Sequence, residues 1–329
     1  MAIGAVRRTA VALAGALGLV ASAAGCSMLP GSGSSNSPTL EHPALRVGYQ
    51  AQVDVAPLYM AVKSGLFDAA GLKIELVQEN NDQDAIKQLA GGQLDVAFAT
   101  HVGFFKAEAG GAQLELQGEA YQAGTNTMAL VTLPSLGYNN PISKPTPRIA
   151  VNADNDLGVL TTKSVLDTAG VQQNKIAFST IPFTDMITAL QNRTVDAAWM
   201  VEPFITKAEQ QLGATILTDA ARGATQEFPM TGYASSKKFA DANPNTMAAF
   251  RKALQQAQQQ ASDRLQVQIA LKDYAGVDAA TADLVSVGNF PTTLNAVRLQ
   301  RVADMMQTSG MLLNRLDAQS MLPPQQQNS

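Results

Sequence analysis

The sequence predicts an α/β chain of two lobes, each a parallel sheet covered by helices, and three observations carry that prediction. Residues 86–108 align without gaps on residues 187–209. Each copy of this unit reads as strand–helix–strand–helix–strand in its apolar periodicity. With 329 residues, 46% of them hydrophobic, the chain is long enough for two separate cores.

The internal repeat rests on identical pairs in register: Ile86/Ile187, Leu89/Leu190, Asp95/Asp196, Ala97/Ala198, Lys106/Lys207, Ala107/Ala208 and Glu108/Glu209. Phe98 pairs with Trp199. One residue further apart, Arg46-Val47 matches Arg148-Ile149 and Lys73-Ile74 matches Lys175-Ile176. Three matches in one order at nearly one spacing indicate two copies of one supersecondary unit.

In the first copy, residues 45–49 form a short buried strand. A helix follows from Pro57, with apolar Leu58, Ala61 and Val62, and stops at Gly65. Residues 72–77 are the second strand. Asp82 is the expected N-cap of a helix holding Ile86 and Leu89, closed by Gly91-Gly92. Residues 94–100 are the third strand. The second copy has strands at 148–151, 175–180 and 195–201, with helices at 156–169 and 184–191. Asp95 and Asp196 fall at strand starts and read as turn residues. Strands separated by helices imply right-handed crossovers and parallel sheets. The C-terminal third is helical, with Leu254, Ala257, Ala261 and Leu265 on one face.

The first 25 residues have the layout of a secretory signal: Arg7 and Arg8, an uncharged apolar run over 10–24, then small residues before Cys26. Ala21-Ser22-Ala23 fits ordinary signal cleavage, but Ala23-Ala24-Gly25-Cys26 resembles a lipid-attachment box and is the favoured reading, with Cys26 the lipidated N-terminus. Residues 26–44, which include the Gly/Ser-rich run 30–38, are the expected tether. The 23 basic and 27 acidic residues give a net charge of −4 with no Lys/Arg cluster, a poor match to nucleic acid. One cysteine and two histidines exclude a Cys/His zinc site, and no Asp-rich calcium loop is present, so neither metal nor cofactor is expected.

The run from Tyr59 to Phe67 (YMAVKSGLF), followed by Ala70-Gly-Leu-Lys-Ile-Glu75, is similar to the opening motif of one family. That family is the nitrate, sulfonate, taurine and thiamine-precursor branch of ABC-transporter substrate-binding proteins. Its second signature, a leucine six residues before an aspartate and an apolar strand, occurs at Leu89…Asp95 and again at Leu190…Asp196, which leads to Glu202-Pro203. The resemblance spans roughly residues 45 to 235. It implies the type II periplasmic-binding-protein fold, with a first lobe of residues 45–130 plus 232–329 and a second of 131–231. Two crossings, near 128–134 and 230–234, would form a hinge. It also implies an exported, monomeric receptor, anchored to the outer face of the cell membrane only through its lipid. Such a receptor hands a small polar organic solute (a sulfonate, an amino-heterocycle or pyrimidine, or a small organic acid) to an ABC permease and its ATPase by hinge closure.

Ligands of parallel α/β sheets bind beyond the carboxyl ends of the strands, beside helix N-termini. Strand one ends at Gln50 and Asp54 in the first lobe and at Asn152 and Asn155 in the second. Strand two leads into Asn81 and into Phe183. Strand three carries Trp199 and ends at Thr100-His101 and at Glu202. Asn126, before the first crossing, resembles a further family contact point. These eleven residues are the expected ligand site, with His101 and Glu202 as its repeat-related pair. The rival reading is an exported enzyme using the same cleft. It has no Gly-x-Ser-x-Gly elbow or His-Glu-x-x-His helix to support it, and no catalytic residue is expected.

Overall fold

The computed structural model describes residues 39–324; Cys26, the signal segment and the Gly/Ser-rich run lie outside the described residues. In the N-terminal part the chain forms β1 (Ala44–Tyr49), α1 (Ala56–Lys63), α2 (Leu66–Ala69), β2 (Lys73–Gln78), α3 (Asp82–Ala90), β3 (Val96–Thr100), α4 (His101–Ala109) and β4 (Leu114–Gln122). The middle part holds β5 (Met128–Thr132), β6 (Arg148–Val151), α5 (Leu157–Thr168), β7 (Ala177–Thr180), α6 (Phe183–Gln191), β8 (Ala197–Val201), α7 (Phe204–Leu212) and β9 (Thr215–Asp219). The last part holds β10 (Pro229–Ser236), α8 (Lys237–Ala242), α9 (Pro244–Gln260), α10 (Arg264–Tyr274), α11 (Ala279–Leu284) and α12 (Ala296–Thr308).

The strands form two five-stranded sheets, ordered β2-β1-β3-β10-β4 and β7-β6-β8-β5-β9. Place by place, β6, β7, β8 and β9 repeat β1, β2, β3 and β4, so the α/β two-lobed reading holds and the internal repeat covers a whole lobe. The fourth place in each sheet is filled by a strand that has just crossed from the other lobe. It runs antiparallel to the third strand, β10 against β3 and β5 against β8. The sheets are therefore mixed rather than purely parallel. The physical reason is the point of entry: the crossing chain arrives where the third strand ends, pairing Thr231 with Thr100 and Met128 with Val201, and can only run back from there. The crossings themselves lie at residues 123–127 and 220–228. The segments expected to cross, 128–134 and 230–234, fall largely within β5 and β10, whose buried runs are drawn into the sheets.

Asp95 and Asp196 are not turn residues. The Asp95 carboxylate accepts the Arg46 backbone N–H at 2.8 Å and both Nε (3.1 Å) and a terminal nitrogen (2.8 Å) of its guanidinium. Asp196 holds Arg148 in the same three ways at 2.8, 3.2 and 3.0 Å, and adds Lys144 at 2.7 Å. A bidentate carboxylate–guanidinium pair thus ties first strand to third in each lobe, at the end remote from the other lobe. These partners hold the Asp196 carboxyl down at about 2 against the opposing effect of its burial.

Successive strand residues face opposite sides. Val96 and Phe98 pack with Leu45, Val47 and Leu58 into one core, where Phe67 and Phe250 stack at 5.4 Å. Burying each such side chain contributes about 1.5–3 kcal/mol. Ala97 and Ala99 face the opposite layer, whose apolar cluster continues into the second lobe. Helix α9 ends at Gln260, so Leu265 belongs to α10, where it is exposed rather than on the buried face of Leu254 and Ala257. Residues 41 and 42, expected within the tether, are already fixed: Glu41 accepts the Thr246 N–H and hydroxyl, and the His42 N–H donates to Thr246 Oγ1.

Candidate functional site

The carboxyl ends of the parallel strands in the two lobes face one another across a cleft of about 600 Å³. The first lobe lines it with Gln50, Gln52, Gln78, Glu79, Asn80 and Asn81; the second lines it with Asn152, Asp154, Thr180, Phe183, Thr184 and Phe204. Gln52, Asn152 and Phe183 also line a smaller cavity further in, completed by Asp82, Phe98, Thr100, Leu157, Trp199, Val201, Met230 and Thr231. The repeat pair Phe98 and Trp199 therefore both line the inner cavity, one from each lobe.

Polar groups in this junction are organised around Thr100. Its backbone N–H donates to Asp82 at 2.7 Å, its hydroxyl donates across the lobes to Asp156 at 2.7 Å, and the same hydroxyl caps α4 by accepting from the Gly103 N–H. Gln50 donates its amide to the other oxygen of Asp82, and Gln52 donates to Gln50 at 3.1 Å. Asp156 caps α5, accepting from the Leu157 N–H. Behind Thr231, Asp54 accepts that residue's hydroxyl at 2.7 Å. Burial raises all three carboxyls: Asp54 to about 7, Asp82 in the same direction, and Asp156 to about 6, with the neighbouring charge of Asp82 adding to the last. Lys106 bridges the rim by donating to the Asn155 carbonyl at 2.9 Å and partly offsets the rise at Asp156.

The second lobe contributes an aromatic wall. Phe204 stacks on Phe183 at 5.1 Å, and Phe183 lies against Trp199 at 5.9 Å. Gly158 lets α5 approach the indole closely, since a Cβ there would sit 2.9 Å from Trp199 Cε3. Trp199 is 2% exposed, and its Nε1 has no hydrogen-bond partner among the described residues. A buried indole N–H normally has one.

Of the eleven residues expected at the site, Gln50, Asn81, Thr100, Asn152, Phe183 and Trp199 line this cleft and its inner cavity. Asn81, not Asp82, caps α3, accepting the Asp84 N–H at 2.9 Å; this leaves Asp82 turned inward as a site group. Asp54 stands one layer behind the cavity. Asn126 lies in the first crossing, and Asn155 is an exposed left-handed residue that offers only its carbonyl to Lys106.

The repeat-related pair, His101 and Glu202, does not line the cleft. His101 is fully buried with its ring against Gly232, and burial keeps the imidazole neutral, lowering its pKa to about 3. Glu202 accepts the Thr206 N–H (3.1 Å), the Thr206 hydroxyl (2.9 Å) and the Ser286 N–H (2.9 Å), so it fastens the second lobe to the C-terminal segment. The physical reason is that the strands stop there. Thr100 and Val201, the last strand residues, line the cavity, whereas His101 already opens α4 and Glu202 turns back onto the Thr206 N–H of α7. Sequence reasoning missed Gln52, Thr231 and Phe204. Thr231 lies outside the repeated unit, Gln52 sits in a strand-to-helix loop, and Phe204 opens α7 where the repeat sets it opposite Gly103, so no matching residue marked it.

A model of the NMT1-like family matches residues 39–272. The fold is similar to that of the alkanesulfonate-binding protein SsuA from Xanthomonas axonopodis pv. citri bound to MOPS, at a TM-score of 0.73 and 19% identity, covering 87% of this chain and 99% of that one. It is similar to the ligand-binding component of an ABC-type import system from Staphylococcus aureus, at 0.75 and 16%, covering 88% and 99%. The periplasmic nitrate-binding protein NrtA from Synechocystis PCC 6803 aligns at 0.72 and 14%, covering 86% of each chain. No curated protein matches by sequence. The family match spans well over half of the chain, so the chain belongs to the NMT1-like family, in keeping with the resemblance read from its motifs.

Proposed function

We propose that this member of the NMT1-like family is an exported solute-binding protein that captures a small polar organic solute between its lobes and delivers it to an ABC permease. The observation that carries this reading is the cleft. Two lobes joined by two crossings face each other through amides, hydroxyls and aromatic rings, with one cross-lobe hydrogen bond from Thr100 to Asp156 at its centre. Such an arrangement recognises a solute by hydrogen bonds and ring contacts and closes over it by rotation about the crossings. The printed functions of the similar structures, sulfonate binding, nitrate binding and ABC-type import, support the same class. Cys26 and the run after it support anchoring by lipid at the outer face of the cell membrane.

A thermal-shift screen against a metabolite panel tests the reading. A compound that binds only the folded state, present at about 100 times its dissociation constant, stabilises by about 2.7 kcal/mol. The expected result is one chemically related group of compounds raising the melting temperature. A panel in which nothing does so would contradict the proposal.

A further inference from the structure

We propose that the solute carries a planar amidinium or guanidinium cation that sets its N–H donors on Asp82, with an acceptor elsewhere on the solute for Trp199. This deepens the receptor reading above and rests on it. Among the described residues no Lys, Arg or His lines the cleft or its inner cavity, whereas Glu79, Asp82 and Asp154 do. Asp82 is 5% exposed, and its protein partners, the Gln50 amide and the Thr100 N–H, are both neutral donors. A carboxylate accepts up to about four hydrogen bonds, so each oxygen keeps a free lone pair.

Buried carboxylates are ordinarily paired with a cation or neutralised. Asp82 and Asp156 share Thr100, and no protein cation forms an ion pair with either. Burial accordingly pushes both carboxyls toward the protonated form. The inner cavity is only about 10 Å³ against about 600 Å³ for the cleft, so a solute cation seated in the cleft, with its N–H donors reaching inward to Asp82, supplies the missing charge.

A separate observation points to the other end of the ligand. Trp199 lines the same cavity with a buried, unpartnered N–H, which calls for an acceptor that the protein does not provide. The wall of Phe183, Phe204 and Trp199 suits a flat group and attracts positive charge through its ring faces. A sulfonate or nitrate would bring acceptor oxygens and negative charge beside Asp82 and find no basic side chain there, a like-charge placement that disfavours binding.

The test uses three ring compounds of matched size, benzamidine, benzamide and benzenesulfonate, titrated into the exported protein at neutral pH. Trp199 is the single tryptophan of the chain, so its emission reports occupancy of this cavity directly. Benzamidine, a cation at this pH, is expected to bind at least about tenfold more tightly than benzamide, a gap of about 1.4 kcal/mol, with no response to benzenesulfonate. Asp82→Asn should bring benzamidine and benzamide within about twofold while the ligand-free melting temperature confirms folding. A Trp199 response to benzenesulfonate equal to or above that of benzamidine would overturn the cation assignment and leave the receptor reading standing. An undiminished benzamidine preference in Asp82→Asn would do the same. If neither these probes nor the metabolite panel bind at all, both readings fall.

Discussion

Replacing Glu202 by Ala removes the acceptor for three donors at once: the Thr206 N–H and hydroxyl at the start of α7, and the Ser286 N–H from the C-terminal segment. At pH 8, above the pKa of about 7 to which burial raises this group, the carboxylate is charged. Hydrogen bonds to a charged group contribute about 1.5–3 kcal/mol each, or about 4.5–9 kcal/mol for three. Relief of the burial that raises this carboxyl offsets part of that, while the buried Thr206 N–H and the half-buried Ser286 N–H lose their acceptor. The loss should therefore be about 3–5 kcal/mol. For a domain of this size that is a fall in melting temperature on the order of 10 °C, since each kcal/mol moves it by about 2–4 °C. Thermal melts of the ligand-free protein at pH 8 read this directly. Glu202→Gln keeps one acceptor oxygen and should lose roughly half as much. A melting temperature unchanged by the Ala substitution, together with a loss of solute affinity of about tenfold or more, would refute the structural role and return Glu202 to the ligand site.

Asp54 is held protonated in the fold to about pH 7 against 3.8 for the free group, so the native state binds more protons than the unfolded state between those values and loses stability as pH rises through them. Asp54→Asn should remove that loss: its stability relative to the native sequence should increase from about pH 4 to about pH 7, by up to a few kcal/mol, in denaturant titrations across that range, and a pH-independent difference would contradict the assignment. Thr100→Val deletes the cross-lobe hydroxyl bond to Asp156 and the cap on α4, so small-angle scattering should find the ligand-free protein less compact and calorimetry a solute affinity reduced several-fold; unchanged values for both would show that this bond does not hold the lobes together. Cys26→Ala should move the protein from the membrane fraction to the soluble exported fraction, whereas a native protein already soluble outside the cell would rule out the lipid anchor.

Much of the architecture was legible because the repeat is written in residues that the fold must reuse. Asp95 and Asp196 recur because each clamps the arginine on the repeated unit's first strand, Arg46 on β1 or Arg148 on β6. The antiparallel direction of the fourth strands was not legible: β5 and β10 lie at the repeat spacing, but spacing does not say that each enters from the opposite lobe and so runs back against the third strand. At the site, the repeat pointed to the correct strand ends but to the wrong phase. Its most symmetrical pair, His101 and Glu202, sits one residue past Thr100 and Val201, which face the cavity. A period of two along each strand, counted from Phe98 or Trp199, would have selected Thr100 and rejected His101. The exchange of roles between Asn81 and Asp82 was not legible, since either residue type caps a helix and only the tertiary position of Gln50 and Thr100 draws Asp82 inward.

The central claim is that the cleft between the lobes captures a solute and returns it unchanged, and the emission of Trp199, which lines the cavity at its inner end, measures this most directly. Titrating a stabilising compound from the metabolite panel while following that single indole, then releasing and weighing the compound by mass spectrometry, reads occupancy and turnover together. The account predicts a saturable 1:1 change in emission, abolished by competition, with the compound recovered at its original mass. A compound that binds without altering Trp199 would place the site elsewhere, and recovery of a chemically altered product would make the protein an enzyme.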